Sequence, residues 1–186
     1  MLALIEELHV YRGADSHEEM MRVRILEFVQ KHADCFRRTL RVGHVTGSAW
    51  VINRERTHTL MVHHRRLGKW LQPGGHAEDE TDALAVAVRE AEEETGLRVR
   101  PISTAIFDVD AHDIPARKQE PAHVHYDIRY MVEADMTSRV VVSPESRAVE
   151  WVRLSRVAAM NTDESVLRMV RKTIAMSLGL TAQGSE

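Results

Sequence analysis

Hydrophobic positions near the start of the chain follow a helical period. Ser16 and Glu19 stand three residues apart, which is the spacing of a capping box at the beginning of a helix. Apolar side chains then recur three or four positions apart, at Met21, Ile25, Phe28 and Val29. This pattern predicts a helix from Ser16 to about His32, within an N-terminal helical segment of residues 1–40.

The middle of the chain changes to a β-strand pattern. Two β-rich stretches, AWVIN and THTLMVHH, flank the polar turn RER and predict two strands of a hairpin. Three further stretches predict strands, namely RVRPISTAIFDVDAH, HVHYDIRYMVEAD and AVEWVRL. The helical period returns in residues 163–178, which carry Val166, Leu167, Val170 and Ile174 on one face. These residues predict a last helix.

A strand, a loop and a helix follow one another between the β-rich stretches. Gly74 and Gly75 interrupt LGKWLQPGGHAED and end a strand in a loop. The Ala-rich stretch DALAVAVREAEEET follows as a helix that Gly96 closes. No repeat or linker divides the chain, so we expect one α+β domain over residues 1–186, with its core in residues 41–180.

The composition excludes several classes of function. A formal net charge of -3 provides no basic field, so polymeric nucleic acid is not an expected partner. Cys35 is the only cysteine, which excludes an intrachain disulfide and favours the cytoplasm. No apolar run reaches the length of about 20 residues that a membrane helix needs, and acidic residues near the start argue against a signal peptide. A small anionic substrate would therefore need a bound metal or local positive charge.

Three carboxylates of the predicted central helix share one face. Glu90, Glu93 and Glu94 stand at i, i+3 and i+4, so their like charges repel unless a cation lies between them. Carboxylate oxygens suit Mg²⁺, and Arg89 is placed to hold one carboxylate in position. The helix follows Gly75, where backbone without a side chain can approach a phosphate or a metal. The spacing predicts a metal and phosphate site where the loop meets the helix.

The same residues resemble the box of the Nudix hydrolase family. That box reads G, five residues, E, seven residues, REUXEEXGU, where U is bulky and apolar, and residues 75–97 follow it. An exposed acidic helix would explain the carboxylates alone, but not their fixed spacing from Gly75. The resemblance implies a mixed sheet between helices, and hydrolysis of a nucleoside diphosphate linked to another moiety. It also implies Mg²⁺ or Mn²⁺ held by Glu90, Glu93, Glu94 and the backbone carbonyl of Gly75.

The chain departs from the family box at its first glutamate. Thr81 stands at that position, with Glu80 just before it. We expect Thr81 to cap the central helix, because its hydroxyl can accept a free backbone N–H of the first turn. Whether Glu80 replaces the missing carboxylate is left open by the sequence.

Positions around the box are candidates for contacts with the substrate. Gly74, Gly75 and His76 would lie near a bound phosphate, and Arg65 belongs to the basic stretch HHRR before the loop. A solvated turn and a loop histidine without a function are the alternatives. Glu120 is the candidate general base, because family members often place a mobile loop with a base after the box.

Polar positions outside the box have two interpretations. One face of HVHYDIRY carries His123, His125, Asp127 and Arg129. Either this face is solvated, or it lines the substrate cleft with His125 or Asp127 assisting the metal or the leaving group. Basic side chains of the last helix are predicted to be surface charges, at Arg168, Arg171 and Lys172.

Several substrates and two other classes of protein stay open. A nucleoside diphosphate sugar such as ADP-ribose is preferred, because the long segment before the box leaves material for a homodimer contact or a second substrate contact. Nucleoside triphosphates and dinucleoside polyphosphates are the alternatives. A non-catalytic nucleotide-binding regulator is a third, and an isopentenyl diphosphate isomerase is a weak fourth, since its catalytic cysteine would fall at Gly74.

Overall fold

The computed structural model describes residues 1–78, 80–116 and 121–179. Its helices are α1 (Leu2–Val10), α2 (Ser16–Lys31), α3 (Ala83–Thr95) and α4 (Glu164–Ser177), with a short 3₁₀ helix at Leu154–Ala159. Its strands are β1 (Gly43–Ile52), β2 (His58–His64), β3 (Trp70–Leu71), β4 (Gly74–His76), β5 (Val99–Pro101), β6 (Asp108–Ile114), β7 (His123–Ala134) and β8 (Ser146–Arg153). No helix in this described part of the chain is long and apolar enough to cross a membrane.

The strands form a curled sheet of mixed direction. At its centre β1 and β7 run parallel, in register from Gly43 opposite Val124 to Ile52 opposite Glu133. The remaining pairs are antiparallel: β2 and β4 with β1, β5 and β6 with β7, and β3 and β8 with β2. A parallel pair needs a long crossover, and the chain between β1 and β7 contains α3. The predicted mixed sheet with helices is confirmed.

Side chains of β1 alternate between two apolar layers, as the period of a strand requires. Val45, Ala49 and Val51 pack into a layer that includes side chains of α1, α2 and α3. Trp50 and Ile52 point to the other side and pack with side chains of α4. The box helix α3 and the last helix α4 therefore lie on opposite faces of the sheet.

Helix α2 begins with a cap one residue earlier than predicted. The carboxylate of Asp15 accepts a hydrogen bond from the backbone N–H of Glu18 at 2.8 Å. Glu19 reaches back to the N–H of Gly13 at 3.0 Å. The prediction of Ser16 as the capping residue is wrong, because the neighbouring aspartate supplies the acceptor for the first turn.

Helix α3 is also capped by the residue after the predicted one. Asp82 accepts from two backbone N–H groups of the first turn, with the closer bond from Leu84 at 2.9 Å. Glu80 accepts from the N–H groups of Thr81 and Asp82 at 2.7 and 2.9 Å. The expected cap at Thr81 is therefore wrong, and the carboxylate of Glu80 holds the turn that leads into the helix. Gly96 ends α3 with φ at 70°, as its identity predicts.

Candidate active site

The short strand β4 is tied to the box helix α3 at both of its ends. The backbone N–H of Gly74 donates to Oε1 of Glu94 at 2.8 Å. The carbonyl oxygen of His76 accepts from Nη2 of Arg89 at 2.7 Å. The predicted meeting of the glycine segment with the box helix is therefore present, and it is made by side chains of the box itself. The prediction that Gly74 and Gly75 lie in a loop is wrong, because both pair with β1 as residues of β4.

The guanidinium group of Arg89 is the centre of this junction. Its Nη1 lies 2.8 Å from Oε1 of Glu90 and 3.2 Å from Oε2 of Glu93. Together with the bond to His76, one planar side chain contacts two carboxylates and one carbonyl oxygen. This geometry fixes Glu90 and Glu93 beside each other and beside β4, which is more than the single contact expected from the sequence.

Gly75 lies where the backbone of β4 meets Glu90. A Cβ atom at this position would be 2.5 Å from Oε2 of Glu90, which is closer than real Cβ contacts. The strand period places Gly75 towards α3, and His76 towards the opposite face. Glycine is therefore required here because the strand approaches a carboxylate closely. The predicted approach of this backbone to a phosphate or a metal stays a prediction.

Burial raises the pKa of two of the three box carboxylates. It raises the pKa of Glu94 to about 7, although the hydrogen bond from Gly74 opposes the shift. Burial also raises the pKa of Glu90, against the opposing charge of Arg89. The side chain of Glu93 is 61% exposed. A cation bound at this face would relieve the repulsion among the carboxylates and compensate for their loss of water.

The donor atoms at this junction suit a hard divalent cation. Glu90, Glu93 and Glu94 supply carboxylate oxygens from one helix face, and β4 supplies backbone carbonyls next to it. Mg²⁺ and Mn²⁺ prefer oxygen ligands of this kind. The close contact between Gly75 and the Glu90 carboxylate leaves no side chain between helix and strand. The residues present therefore fit such an ion.

Other predicted site residues lie in different surroundings. Arg65 donates to the carbonyl oxygens of Pro144 and Ser146 at 3.0 and 2.8 Å, so its guanidinium joins the end of β2 to the start of β8. The structure does not bring it into the contacts of β4 described above. Glu120 lies outside the described residues, and its role as a general base stays a prediction.

His76 and His125 belong to a group of four neighbouring imidazoles, which we call the histidine cluster. Its members come from β1, β4 and β7, and they are His44, His76, His123 and His125. Ring centroids of contacting pairs are 4.8–5.2 Å apart. Burial and the three neighbouring rings lower the pKa of His125 to about 3, so its ring is neutral at pH 7. Two separately predicted substrate contacts thus share one cluster.

The polar face of β7 is buried beyond the histidines. Asp127 accepts from the hydroxyls of Thr46 and Ser48 at 3.0 and 2.7 Å, and from Nε of Arg129 at 2.7 Å. Both Asp127 and Arg129 are buried. The interpretation of these two positions as a solvated face is wrong, because β1 and β6 supply partners for them. Asp127 joins β7 to β1, two residues beyond His125 on the same face of the strand.

A buried ionic network joins β6 and β7 to α4. Asp108 lies 3.1 Å from Arg129, 2.7 Å from Arg168 and 3.2 Å from Lys172. Burial alone would raise the pKa of Asp108, but these cations lower it to about 2. Arg168 is only 3% exposed, so the predicted surface charges at Arg168 and Lys172 are wrong; Arg171 is exposed, as predicted. A buried carboxylate such as Asp108 requires cationic partners.

An alternating pattern just before AWVIN is the sequence signal for His44. His44, Thr46 and Ser48 alternate with apolar residues and precede the AWVIN stretch. That alternation extends β1 back to Gly43 and places all three side chains on the face that carries His125 and Asp127. The pairing with β7 is a long-range contact, which a pattern within one stretch does not show.

Comparison with known families decides the assignment. A model of the NUDIX domain matches residues 43–172, which is more than half of the chain. The chain belongs to the NUDIX family. The matched range begins at β1 and ends within α4, so it contains the box helix, the glycine strand and the histidine cluster of this Nudix protein. The resemblance noted from residues 75–97 is confirmed.

Two curated relatives of this Nudix chain are named as hydrolases. A probable DHNTP pyrophosphohydrolase of Lactococcus lactis is 35% identical over 78 residues, which are 41% of this chain and 46% of that protein. A CMP-5'-(N-acetyl-N-hydroxy-3-aminopropyl)phosphonate hydrolase of Streptomyces rubellomurinus is 29% identical over 115 residues, or 59% of this chain and 52% of that protein. The chain thus spans about half the length of the curated relatives it matches.

A solved structure with the same fold is the Ap4A hydrolase of C. elegans in a binary complex. It superimposes with a TM-score of 0.59 and covers 73% of this chain and 98% of that one. Its sequence identity of 15% shows a shared fold only.

Proposed function

We propose that this Nudix protein is a divalent-cation-dependent pyrophosphohydrolase of small nucleotide-type substrates. The observation that carries the proposal is the junction of β4 with α3, where Arg89 and Glu94 bond to the backbone of the glycine strand. Carboxylates and backbone of this junction present oxygen atoms to one region, which is the ligand set that phosphate-binding Mg²⁺ sites use. An acidic helix without a function would need none of these bonds.

Each residue of the junction has a proposed role. Glu90, Glu93, Glu94 and the carbonyl of Gly75 would hold Mg²⁺ or Mn²⁺. When bound, the ion supplies charge neutralisation at the pyrophosphate oxygens and a water of lowered pKa. Arg89 positions Glu93 and the backbone of β4 relative to each other.

The attacking water must lose a proton during the reaction. Glu120, which stands between β6 and β7 in the sequence, is the proposed acceptor of that proton. His76 and Gly74 are proposed to lie near the substrate phosphates, because both belong to the strand that meets the box helix. His125 is a further proposed substrate contact, on the sheet face opposite the box helix, since its ring contacts that of His76 at a centroid distance of 5.0 Å.

The first substrate class we propose is a nucleoside diphosphate joined to a second moiety, such as a nucleoside diphosphate sugar or ADP-ribose. The Streptomyces relative supports this class, because its name describes CMP joined to a phosphonate. The Lactococcus relative, named for DHNTP, supports a nucleotide-like triphosphate as the second candidate. The similarity to an Ap4A hydrolase lies in the fold alone and does not favour dinucleoside polyphosphates.

Two alternatives are less well supported by the residues present. An isomerase of the same fold would need a cysteine where Gly74 stands, whereas Cys35 is buried in the apolar core and burial raises the pKa of its thiol. A non-catalytic regulator would not need the bonds that Arg89 makes. A homodimer and a cytoplasmic location remain proposals from the sequence.

The proposal is tested by hydrolysis of a substrate panel with and without divalent metal. Nucleoside diphosphate sugars, nucleoside triphosphates and dinucleoside polyphosphates are incubated with the protein, and released phosphate is measured with a coupled phosphatase. We expect turnover of one class that requires Mg²⁺ or Mn²⁺ and stops after chelation. Tight nucleotide binding without turnover of any class would instead favour the regulator.

A further inference from the structure

Three imidazoles of the histidine cluster converge on the sheet face opposite the box helix. His44 of β1 lies directly opposite His125 of β7 in the parallel register, so their side chains share one face. His123 stands two residues earlier on β7 and points to the same face. Each of the three offers a ring nitrogen, and these atoms all lie within 4.8 Å of one another.

The separation of two ring nitrogens matches that of ligands on one metal ion. Nε2 of His123 lies 3.1 Å from Nε2 of His125. Zinc–imidazole bonds of about 2.0–2.1 Å in a tetrahedral arrangement place two ligand nitrogens about 3.3 Å apart. The two nitrogens are therefore close enough to bind one metal ion.

An outer contact fixes the tautomer of His123 in the form that a metal needs. Its Nδ1 lies 2.9 Å from the carbonyl oxygen of Pro121. A carbonyl can only accept, so Nδ1 carries the proton and Nε2 presents a lone pair towards His125. Metal-bound histidines commonly donate their second ring nitrogen to a backbone carbonyl in this way.

Two further histidines, His76 and His112, lie near the three converging imidazoles. The ring of His76 lies 5.0 Å, centroid to centroid, from both His44 and His125, so it stands beside the three converging rings. His112 is on the adjacent strand β6, but its Nε2 lies 3.0 Å from Nη2 of Arg129. A guanidinium only donates, so that nitrogen of His112 is an acceptor in use.

We infer that His44, His123 and His125 form a binding site for a first-row transition metal of the Zn²⁺ class, with His76 beside the fourth coordination position. Imidazole nitrogens select Zn²⁺, Co²⁺, Ni²⁺ and Cu²⁺, whereas the carboxylates of α3 select Mg²⁺ or Mn²⁺. The strand β4 connects the two sites, with Gly75 facing the carboxylates and His76 facing the imidazoles. This site is additional to the proposed pyrophosphohydrolase site and needs no substrate.

Titration of metal-stripped protein with Co²⁺ tests the inference. The titration is done without nucleotide and in saturating Mg²⁺, which occupies the carboxylate site. We expect one Co²⁺ per chain with the visible absorption of a four-coordinate ion, and displacement of this ion by Zn²⁺ but not by Mg²⁺. Absence of stoichiometric binding, or displacement by Mg²⁺, would overturn the inference.

Variants separate the imidazole site from the carboxylate site. His123→Ala should weaken Co²⁺ binding by about 100-fold or more, because the loss of even an outer partner of a ligand typically weakens binding 10–100-fold. His17→Ala changes an exposed histidine of α2 and should bind Co²⁺ as the wild type does. Glu93→Gln should also bind normally. Loss of Co²⁺ in Glu93→Gln with retention in His123→Ala would assign the ion to the carboxylates and refute the site.

A measurement on the wild-type chain does not depend on the folding of any variant. Pulsed electron paramagnetic resonance of protein loaded with one equivalent of Cu²⁺ detects the remote nitrogens of coordinated imidazoles. We expect signals from more than one imidazole. Coordination by oxygen alone would overturn the inference, whatever the hydrolysis assay shows, so the failure of this site is distinguishable from failure of the proposed function.

Discussion

Replacement of Arg89 by lysine keeps the charge at the centre of the β4–α3 junction but removes the planar fork. The guanidinium lies 2.7 Å from the carbonyl of His76, 2.8 Å from Glu90 and 3.2 Å from Glu93. An ammonium group is a compact point charge that cannot span these three acceptors from one position. In Arg89→Lys we expect an ion pair with one carboxylate to remain and the bond to the strand carbonyl to be lost.

The size of the effect follows from the bond that is lost. A hydrogen bond with a charged donor contributes about 1.5–3 kcal/mol. If that positioning energy is expressed in the transition state, kcat should fall by about 10–100-fold, since about 1.4 kcal/mol corresponds to a factor of ten. The concentration of Mg²⁺ needed for half-maximal rate should rise as well, because Glu93 and β4 are no longer held together.

Steady-state kinetics over a range of Mg²⁺ concentrations measures both effects. Arg98→Lys is the matched control, because Arg98 also pairs with a glutamate near the end of α3, 3.6 Å from Glu92, but is 96% exposed. This control should keep the wild-type rate and melting curve, and Arg89→Lys should remain folded at the assay temperature in a thermal melt. An Arg89→Lys variant with unchanged kcat and unchanged Mg²⁺ dependence would refute the positioning role.

Three further predictions concern the glycine strand and the buried ionic network. Gly75→Ala should lower kcat by about 100-fold, because its Cβ would lie 2.5 Å from the Glu90 carboxylate and must displace either β4 or that carboxylate. A wild-type rate in steady-state kinetics would contradict the close approach. Asp108→Asn should lower the free energy of unfolding by about 3–5 kcal/mol, since it removes the negative charge that pairs with buried Arg129 and Arg168. A negligible change in the free energy measured by urea unfolding would show that the network contributes little. The pKa of Asp108 is about 2, whereas its ordinary value is 3.8. The ionised carboxylate therefore contributes its whole stabilisation of the fold at a pH above 3.8, and this contribution is lost as the pH falls towards 2. The stability difference between wild type and Asp108→Asn should therefore shrink by about 2 kcal/mol over that window, and a constant difference would contradict the shift.

Local patterns predict α2, α3, α4 and the long strands of this protein because each has one side in an apolar layer. The stretch RVRPISTAIFDVDAH predicts one strand but contains two, β5 and β6. The caps are less predictable, since several polar residues often stand together at a helix start. Asp15 precedes Ser16, and Asp82 follows Thr81, and in both places the carboxylate supplies the acceptor. Either neighbour has the chemistry of a cap, so only the backbone geometry decides.

The candidate site is predictable only where its residues are close in sequence. The carboxylates of α3 lie within one helical stretch, so their shared face follows from the helical period. The histidine cluster and the ionic network join β1, β7, β6 and α4, which are far apart in the chain. Arg168 therefore has the pattern of a surface charge, and its burial becomes visible only when Asp108 is placed beside it.

The pair of variants Glu93→Gln and Glu92→Gln tests the central claim most directly. Both remove one negative charge from α3, but Glu93 contacts Arg89 at the junction, whereas Glu92 accepts from the backbone of Val99 on β5. The measurement is kcat for the substrate class identified in the panel, at saturating Mg²⁺. We predict a loss of about 10²-fold or more in Glu93→Gln and a rate near that of the wild type in Glu92→Gln. Equal rates in the two variants would contradict the assignment of the box carboxylates as the metal site.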